Sequence, residues 1–559
     1  MTHPEPQVMI IGAGPVGLSC ALELARFGVR SVVFEKHPGT SFHPKTRNFN
    51  TRSMEIVAAW GKATYARLRA IDTPPGWKSP IRFLSTATGE QYGTIESRGF
   101  EGPGLDVSPA LPIMTSQDRI EKVLCDAAAA SGLIDLRFGH QVVHMVKGHL
   151  ADDSKAVLLV RDPVGNEVEW TADAVVAADG AHSGIRAQLG IEMVGNKALA
   201  HVFNCYFRAD IEKHLNGRNG VLLFVSGKAN GVFQPLDARG RWLCQINVTK
   251  DQWEADEYDA ESCAQWVRDG SGIADLQVEV LSVGKWQMNA TVAGRLVQNR
   301  VILVGDAAHQ FPPTGGLGVN TGIQGMHNVM WKLALFVKGV AGHTLLESYD
   351  EERREPTTRT TQQSLQNSVN VAMIAAAGAQ GKESPVPADE VVRQSRRYGN
   401  HLGVEFGVHY SSIAVVPDGT QPPQVEDDYS DYVQSAVPGC RAPHIWLGSE
   451  EERVSTLDLC NNGGFTVISG PEGHCWAEVT SLSAELGVPV AHFRVGDVGL
   501  TDLAGQFGEI FGVEADGAVL VRPDGIVAWR VTVAPEDPRA ETYRVLSRIL
   551  ALKEDITRP

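Results

Sequence analysis

The chain is poor in everything that would mark it for a membrane, a nucleic acid or an oxidised extracellular framework. No window approaches the roughly eighteen uninterrupted apolar residues of a transmembrane helix, and the opening "MTHPEPQ" lacks the basic segment of a secretory signal. A cytoplasmic protein with no membrane partner is expected. Acidic residues outnumber basic ones, 66 to 50, for a formal net charge of −16. That balance argues against nucleic acid, whose binders usually present a basic face. Cysteine is sparse: Cys20, Cys125, Cys205, Cys244, Cys263, Cys440, Cys460 and Cys475 are scattered with no CxxC and no zinc-like pairing. Reduced, mostly buried thiols are expected, with neither disulfides nor a metal site. Internal repeats and long low-complexity tracts are missing too. What remains is the composition of a globular enzyme, 43% hydrophobic and 21% charged over 559 residues. Such a length predicts about two to four domains.

Against this background the stretch "VMIIGAGPVGLSCALEL" at residues 8–24 stands out. A short apolar run meets the turn Gly12-x-Gly14-x-x-Gly17 and passes at once into a helix-periodic segment. Gly12 suits the tight turn, Gly14 the close approach of a pyrophosphate, and Gly17 the packing of helix on strand. The helix N-terminus then offers its N–H groups to phosphate. The next strand, "RSVVFEK", ends in Glu35, about 20 residues beyond the turn, where a carboxylate accepts from a ribose hydroxyl. Glu35 disfavours a 2′-phosphate and leaves FAD and NAD open.

Further along, a polar loop carrying Lys45, Arg47 and Arg52 runs into a helix predicted to begin near Thr51. Residues 74–112 read as strands and loops. Ser116 is a candidate N-cap for a helix with Ile120, Val123 and Leu124 on one face. A turn at Gly165 separates two strands, and a third, apolar strand ends at Asp179 and Gly180. Short β-like runs between about 200 and 290 predict an antiparallel sheet. Long helices follow through about residue 377, then two linker-like stretches, "GKESPVPADE" and "PDGTQPPQVEDDYSD".

The apolar strand "VILVGDAAH" at residues 301–309 ends in Gly305 and Asp306 and enters "FPPTGGLGVNTG". A carboxylate at a strand end can hold ribityl or ribose hydroxyls, and a glycine-rich turn can face the electron-poor end of a flavin. An extended FAD needs holding at both ends, which a nicotinamide dehydrogenase does not require. FAD is therefore the expected cofactor.

"GAGPVG" with Glu35, "AADGAHSGIR" at residues 177–186 and "GDAAHQFPPTGGLGVNTGIQG" at 305–325 resemble, in order and spacing, the class A flavin-dependent aromatic monooxygenases. "HPKTRNFNTRSMEI", "TSQDRIEKVL" and "VLVRPDGIVAWR" resemble the phenol and 2,4-dichlorophenol hydroxylase branch, which carries a thioredoxin-like C-terminal domain. The resemblance covers essentially the whole chain. It implies that Gly12, Gly14 and Gly17 bind the FAD pyrophosphate, Glu35 the adenosine ribose, Lys45 the phosphates and Gln117 the ribityl region. Asp306 would hold FAD hydroxyls, while Gly316, Leu317, Gly318 and Asn320 would line the pyrimidine side. Asp179 and Arg186 would serve both FAD and NAD(P)H, the transient co-substrate. Three departures stand out: Lys45 replaces an arginine, Gly325 an acidic residue, and Arg47 the aspartate of a phenol hydroxylase.

The implied fold is α/β. A Rossmann-like FAD-binding domain occupies residues 1–73, 113–195 and 290–380, with an inserted antiparallel β-sheet substrate domain at 74–112 and 196–289. A linker at 381–437 leads to a thioredoxin-like domain at 438–559. With only Cys475 near the expected dithiol position, that tail is expected to be structural or to support a homo-oligomer, and dispensable for flavin chemistry. The implied reaction is hydroxylation of a phenolic ring, ortho to its hydroxyl, using NAD(P)H and dioxygen. Arg47, Phe233, Pro312 and Pro313 are the candidate substrate-pocket residues, with Arg47 and Pro313 the catalytic candidates. Two alternatives stay open: oxygenation of a polycyclic polyketide, Baeyer–Villiger insertion included, and a flavin-binding scaffold that no longer oxygenates.

Overall fold

A computed structural model describes residues 5–97, 106–151, 154–449 and 451–552. Parts of the 74–112 excursion and of the C-terminal tail thus lie outside the described residues. Six strands form the first sheet, in the order Val297–Gln298, Val301–Leu303, Ala174–Ala177, Val8–Ile11, Ser31–Glu35 and Ile134–Phe138. All pair in parallel except the short hairpin at the edge. Val8–Ile11 and Ala174–Ala177 are buried along their whole length, as expected of strands covered on both faces. The strand order reverses at Val8–Ile11, which has Ser31–Glu35 on one side and Ala174–Ala177 on the other. The crevice beyond the carboxyl ends at such a switch point is where nucleotides bind in open α/β sheets.

An eight-stranded sheet stands beside the first. Its two long strands, Met193–Arg208 and Glu279–Ala293, run antiparallel and connect the nucleotide end to the far end of the molecule. Strands Ile81–Leu84 and Gln91–Ile95 complete its edge, and Ile81–Leu84 pairs in parallel with Leu222–Ser226, a departure from a purely antiparallel sheet. One face buries Phe207, Phe233, Trp242 and Cys244 against helix Ala260–Ser271. The other face looks into a large cavity.

Helix Gly318–Val337 is buried over most of its length and leads to the 38-residue helix His343–Gln380. Residues 381–437, read as a linker, contain the helices Ala388–Gln394 and Leu402–Phe406 and bury Val391, Tyr398, Phe406 and Tyr410. They pack as a strap and do not hang free. The tail forms a four-stranded sheet in the order Val490–Arg494, Phe465–Ser469, Ala518–Val521 and Val527–Val531. Its first pair is parallel and the others antiparallel. Helix Pro538–Ile549 covers it, and its apolar residues join the core of the first domain, where Trp331 meets Phe465 edge-on at 5.8 Å. Among the described residues no helix is long and apolar enough to cross a membrane, all eight cysteines are free, and no cluster of His, Cys, Asp or Glu is arranged to hold a metal.

Candidate functional site

At the switch point, three glycines are required for different reasons. Gly12 sits at φ 100°, and a Cβ there would lie 2.4 Å from the Ala178 carbonyl oxygen. A Cβ on Gly17 would meet the Gly12 oxygen at 2.0 Å. Gly14 differs, because a Cβ there would meet no protein atom within 4 Å. Its open side faces the cavity, so the space it leaves is for a ligand. Helix Pro15–Arg26 begins at Gly14 with no side-chain cap and no acidic residue in its first turn, which leaves its N-terminal dipole for an anion. Glu35 lines the same cavity and accepts from the backbone N–H groups of Ala13, at 3.0 Å, and His37, at 2.9 Å. Its carboxylate therefore braces the turn as well as facing the expected ribose.

Asp179 follows strand Ala174–Ala177. Its Oδ2 accepts from the Ile185 N–H at 3.3 Å, while its Oδ1 is buried without a partner. A hydroxyl-bearing cofactor would supply the donor this atom lacks. Arg186 donates to the carbonyls of Ala307, at 2.9 Å, and Ala181, at 3.0 Å, joining this loop to the turn that carries Asp306. Asp306 is open to the cavity but enclosed by protein elsewhere, and this enclosure raises its pKa, opposed by Lys45 across the cavity. Gln117 also lines the cavity. Its Oε1 accepts from the N–H groups of Lys45 and Thr46 and its Nε2 donates to Glu121, so it fixes the loop that presents Lys45.

The glycine-rich loop from Pro312 to Gly318 forms the inner wall. Thr314 donates to the Ser364 carbonyl at 2.6 Å, and the Ser364 hydroxyl lies 2.8 Å from the Pro312 carbonyl, tying the loop to helix His343–Gln380. Pro313 lines the wall, and its carbonyl accepts from the Gly316 N–H at 3.2 Å. It bears no proton-transfer group, so it shapes the loop. Gly316 lies against Asn48, whose Oδ1 would sit 2.8 Å from an added Cβ. Leu317 and Gly318 line the cavity, whereas Asn320 does not. Only 2% exposed, Asn320 accepts from the Asn50 N–H and the Ser53 hydroxyl and donates to the Gly316 carbonyl. The reason is its place on the inner face of helix Gly318–Val337, from which it stays the loop from behind.

Arg47 occupies the wall between this loop and the eight-stranded sheet. Its guanidinium donates to the carbonyls of Pro235, at 2.7 Å, and Val221, at 3.0 Å. Among the described residues no carboxylate pairs with it. Burial brings its pKa down to about 10, with Tyr398 opposing, so it stays cationic at neutral pH. Phe233, expected in the pocket, is not there. Strand Asn230–Pro235 alternates, sending Val232 and Gln234 into the cavity and Phe233 to the opposite face, where it packs on Trp242 and Trp266. Sequence reasoning also passed over Tyr398, which the strap brings to the cavity, and the sheet carboxamides Gln234 and Gln245. The period-2 pattern of the strands was a usable signal for the carboxamides, whereas nothing local marked Tyr398.

Apart from Arg186, Asn320 and Phe233, which stand behind its wall, the expected site residues open onto one continuous cavity of about 2060 Å³. Gly14's open flank, the unpaired Asp179 oxygen and the exposed helix N-terminus fit a dinucleotide, and the space beyond the inner loop is left for a second ligand. Comparison with known proteins agrees with this geometry. The FAD binding domain family matches residues 5–364, and the aromatic-ring hydroxylase C-terminal family matches residues 435–551. A 4-methyl-5-nitrocatechol 5-monooxygenase of Burkholderia sp is 32% identical, over 98% of this chain and 98% of its own. The 2,4-dichlorophenol 6-monooxygenase of Delftia acidovorans is 30% identical, again over 98% of both chains. The crystal structure of the flavin-dependent monooxygenase PieE in complex with FAD and substrate superposes with a TM-score of 0.89 at 31% identity, covering 99% of this chain and 100% of that one. With its nucleotide crevice, cationic inner pocket and full-length likeness to these enzymes, the chain belongs to the FAD-dependent aromatic-ring monooxygenases, which oxygenate aromatic substrates with NAD(P)H and dioxygen.

Proposed function

We propose that the protein hydroxylates a phenolic ring ortho to its hydroxyl, with Arg47 holding the substrate as its phenolate. The observation that carries this reading is the buried Arg47 guanidinium, tied to two backbone carbonyls and to no carboxylate, on the wall of the cavity that also holds the nucleotide crevice. A cation so placed favours the ionised phenol, which is the electron-rich form that accepts oxygen. Hydroxylation beside the phenolic hydroxyl is what the name of the dichlorophenol relative describes for that enzyme. Bound FAD, with NAD(P)H as reductant, would supply the activation of dioxygen. The chain's own part is to bind and to exclude water. Gly14 and the helix N-terminus behind it take the pyrophosphate in a turn that Gly12 and Gly17 shape, and Glu35 takes the ribose. Lys45, Asp179 and Asp306 take the remaining phosphate and hydroxyl groups, with Arg186 and Gln117 bracing them. Residues 312–318 close the inner end, where Pro312 and Pro313 keep the wall dry.

The same reading assigns residues 1–73, 113–195 and 290–380 to FAD binding, and 74–112 with 196–289 to the substrate. It assigns 381–437 to a strap and 438–559 to a thioredoxin-like unit. The order and directions of the tail strands support that last assignment. With no dithiol there, the unit is structural. Free cysteines throughout suit a reducing cytoplasm.

Cavity size favours a second reading of the substrate. Ordinary ligand pockets enclose about 300–1,000 Å³, and 2060 Å³ leaves room beside a dinucleotide for more than one ring. Leu199 and Val369, 40% and 45% exposed, give the rim an apolar character. A fused aromatic bearing a phenol is thus the favoured form of the substrate. A panel of single-ring and fused phenols, scored by NAD(P)H consumption and product mass, tests the assignment. Products heavier by one oxygen atom are expected, and NAD(P)H consumption with no oxygenated product from any of them would remove it.

A further inference from the structure

The cavity face of the eight-stranded sheet is uncharged around three amides, Gln234, Gln245 and Asn204. Val232, Gln245, Asn204 and Gly284 stand in register across four adjacent strands. Gln234 lies two residues from Val232 on the same face, next to the Pro235 whose carbonyl holds Arg47. Asn204 is committed, its Oδ1 accepting from the Trp286 indole at 2.9 Å. The carboxamides of Gln234 and Gln245 have no hydrogen-bond partner among the described residues, although both line the cavity and Gln234 is only 8% exposed. Both amides are open to the cavity and, among the described residues, committed to no protein group, so they are available to a ligand that fills it. A carboxamide both donates and accepts, so it can meet a phenol hydroxyl and a quinone carbonyl alike.

We infer that Gln234 and Gln245 are specificity-determining residues that hydrogen-bond oxygen substituents on rings of a fused aromatic substrate other than the ring held by Arg47. The inference rests on the functional reading above and deepens it. Gln234 and Gln245 stand diagonally on neighbouring antiparallel strands, a relation that separates their backbones by about 7–8 Å. Amides rooted that far apart can reach oxygens on different rings of one planar system, whereas a single phenol anchored at Arg47 carries no second oxygen for them to meet. Arg47 supplies the charge, and the two amides supply the register.

The test uses FAD-loaded full-length protein and two probes, a dihydroxyanthraquinone with one hydroxyl on each outer ring and a monochlorophenol. Binding is read from the flavin absorbance change on titration. The wild type is expected to bind the anthraquinone more tightly. Gln234→Leu and Gln245→Leu are each expected to raise its Kd about tenfold, the loss of one hydrogen bond to ligand. The anthraquinone-to-phenol preference should narrow by the same factor, with flavin content unchanged. Equal shifts for both probes, no shift in either variant, or a wild type that prefers the single ring would overturn the inference. If Gln234→Leu does not yield FAD-loaded protein, the half-buried Gln245→Leu decides alone. Failure of the functional reading looks different: a wild type that oxygenates neither probe. Oxygenation of both with a variant-insensitive preference removes the amide assignment only.

Discussion

Single residues in this site divide into those that face a ligand and those that hold them. Gly14 belongs to the first group and Gly17 to the second, which separates two substitutions the motif treats alike. A Cβ at Gly14 meets no protein atom beyond its chain neighbours, so Gly14→Val is expected to fold with a melting temperature near wild type yet to purify without its yellow flavin. Gly17→Val, driven against the Gly12 carbonyl, is expected to lose stability and flavin together. Flavin content alongside thermal melting separates them, and full occupancy in Gly14→Val would contradict the crevice assignment. Arg47→Ala is expected to weaken phenol binding at least tenfold and to divert NAD(P)H oxidation into hydrogen peroxide, measured as the peroxide-to-product ratio. The glycine turns and acidic strand ends were legible in sequence because a dinucleotide imposes its spacing within some twenty residues of chain. Phe233 was misplaced although the alternation of its strand separates it from Val232 and Gln234, because its aromatic character suits a substrate pocket and a packed core equally well.

Among the elements, the loop from Pro312 to Gly318 is fixed from two sides. Helix His343–Gln380 holds it through Ser364, and Asn320 holds it from within helix Gly318–Val337. Asn320→Ala leaves the Gly316 carbonyl, the Asn50 N–H and the Ser53 hydroxyl short of a partner. The expected outcome is a loss of about 1–3 kcal/mol and faster flavin release, checked by chemical denaturation and by flavin fluorescence on dilution. Unchanged flavin release would mean that the loop keeps its shape without this stay. The strap is the element sequence reading understated. Its proline- and charge-rich composition resembles a free linker, yet Arg353 from the long helix donates to the Tyr410 hydroxyl at 2.8 Å and the strap delivers Tyr398 to the cavity. Such contacts join segments far apart in the chain, so no local pattern announces them.

Across the whole molecule, the tail is bound to the flavin domain by buried charge. Glu352 accepts from Arg522 at 2.6 Å and from Lys332 at 2.8 Å, and Arg522 also pairs with Asp524, every one of them buried. Arg441 of the tail pairs with buried Glu55. The cation–carboxylate partners Arg522–Glu352 and Arg441–Glu55 lie 170 and 386 residues apart, which is why an independent tail was the natural expectation from sequence. The structure revises that expectation. Removing residues 438–559 takes Arg441 from Glu55, which keeps only Arg52 as a cationic partner, and Arg522 from Glu352, which keeps only Lys332, so the truncated chain is expected to be insoluble or flavin-poor, and Arg522→Ala to cost about 3–5 kcal/mol. A soluble, FAD-loaded truncation with normal flavin reduction would contradict this.

The same network fixes a pH response. Burial alone would raise the pKa of Glu55 and Glu352, but the adjacent arginines override it and hold both below the ordinary carboxylate value. Burial takes Lys332 down to about 8 despite Glu352, which leaves Arg522 as the firmer cation. A carboxylate depressed in the folded state stabilises fully above its unfolded pKa of about 4.3 and loses that contribution as pH falls further. Melting temperature is therefore expected to drop steeply below about pH 4 in the wild type, and less steeply in a paired Glu352→Gln, Arg522→Met variant. Identical slopes would remove the network from the acid response.

The most direct measurement is incorporation of labelled oxygen. FAD-loaded protein is turned over with NAD(P)H and a fused phenol under 18O2, and the product is weighed. One 18O atom per product molecule, placed on the carbon beside the phenolic hydroxyl, is the expected result. Product oxygen drawn from water, or NAD(P)H consumed with peroxide as the sole oxygen product for every aromatic tried, would contradict the assignment of this cavity to aromatic hydroxylation.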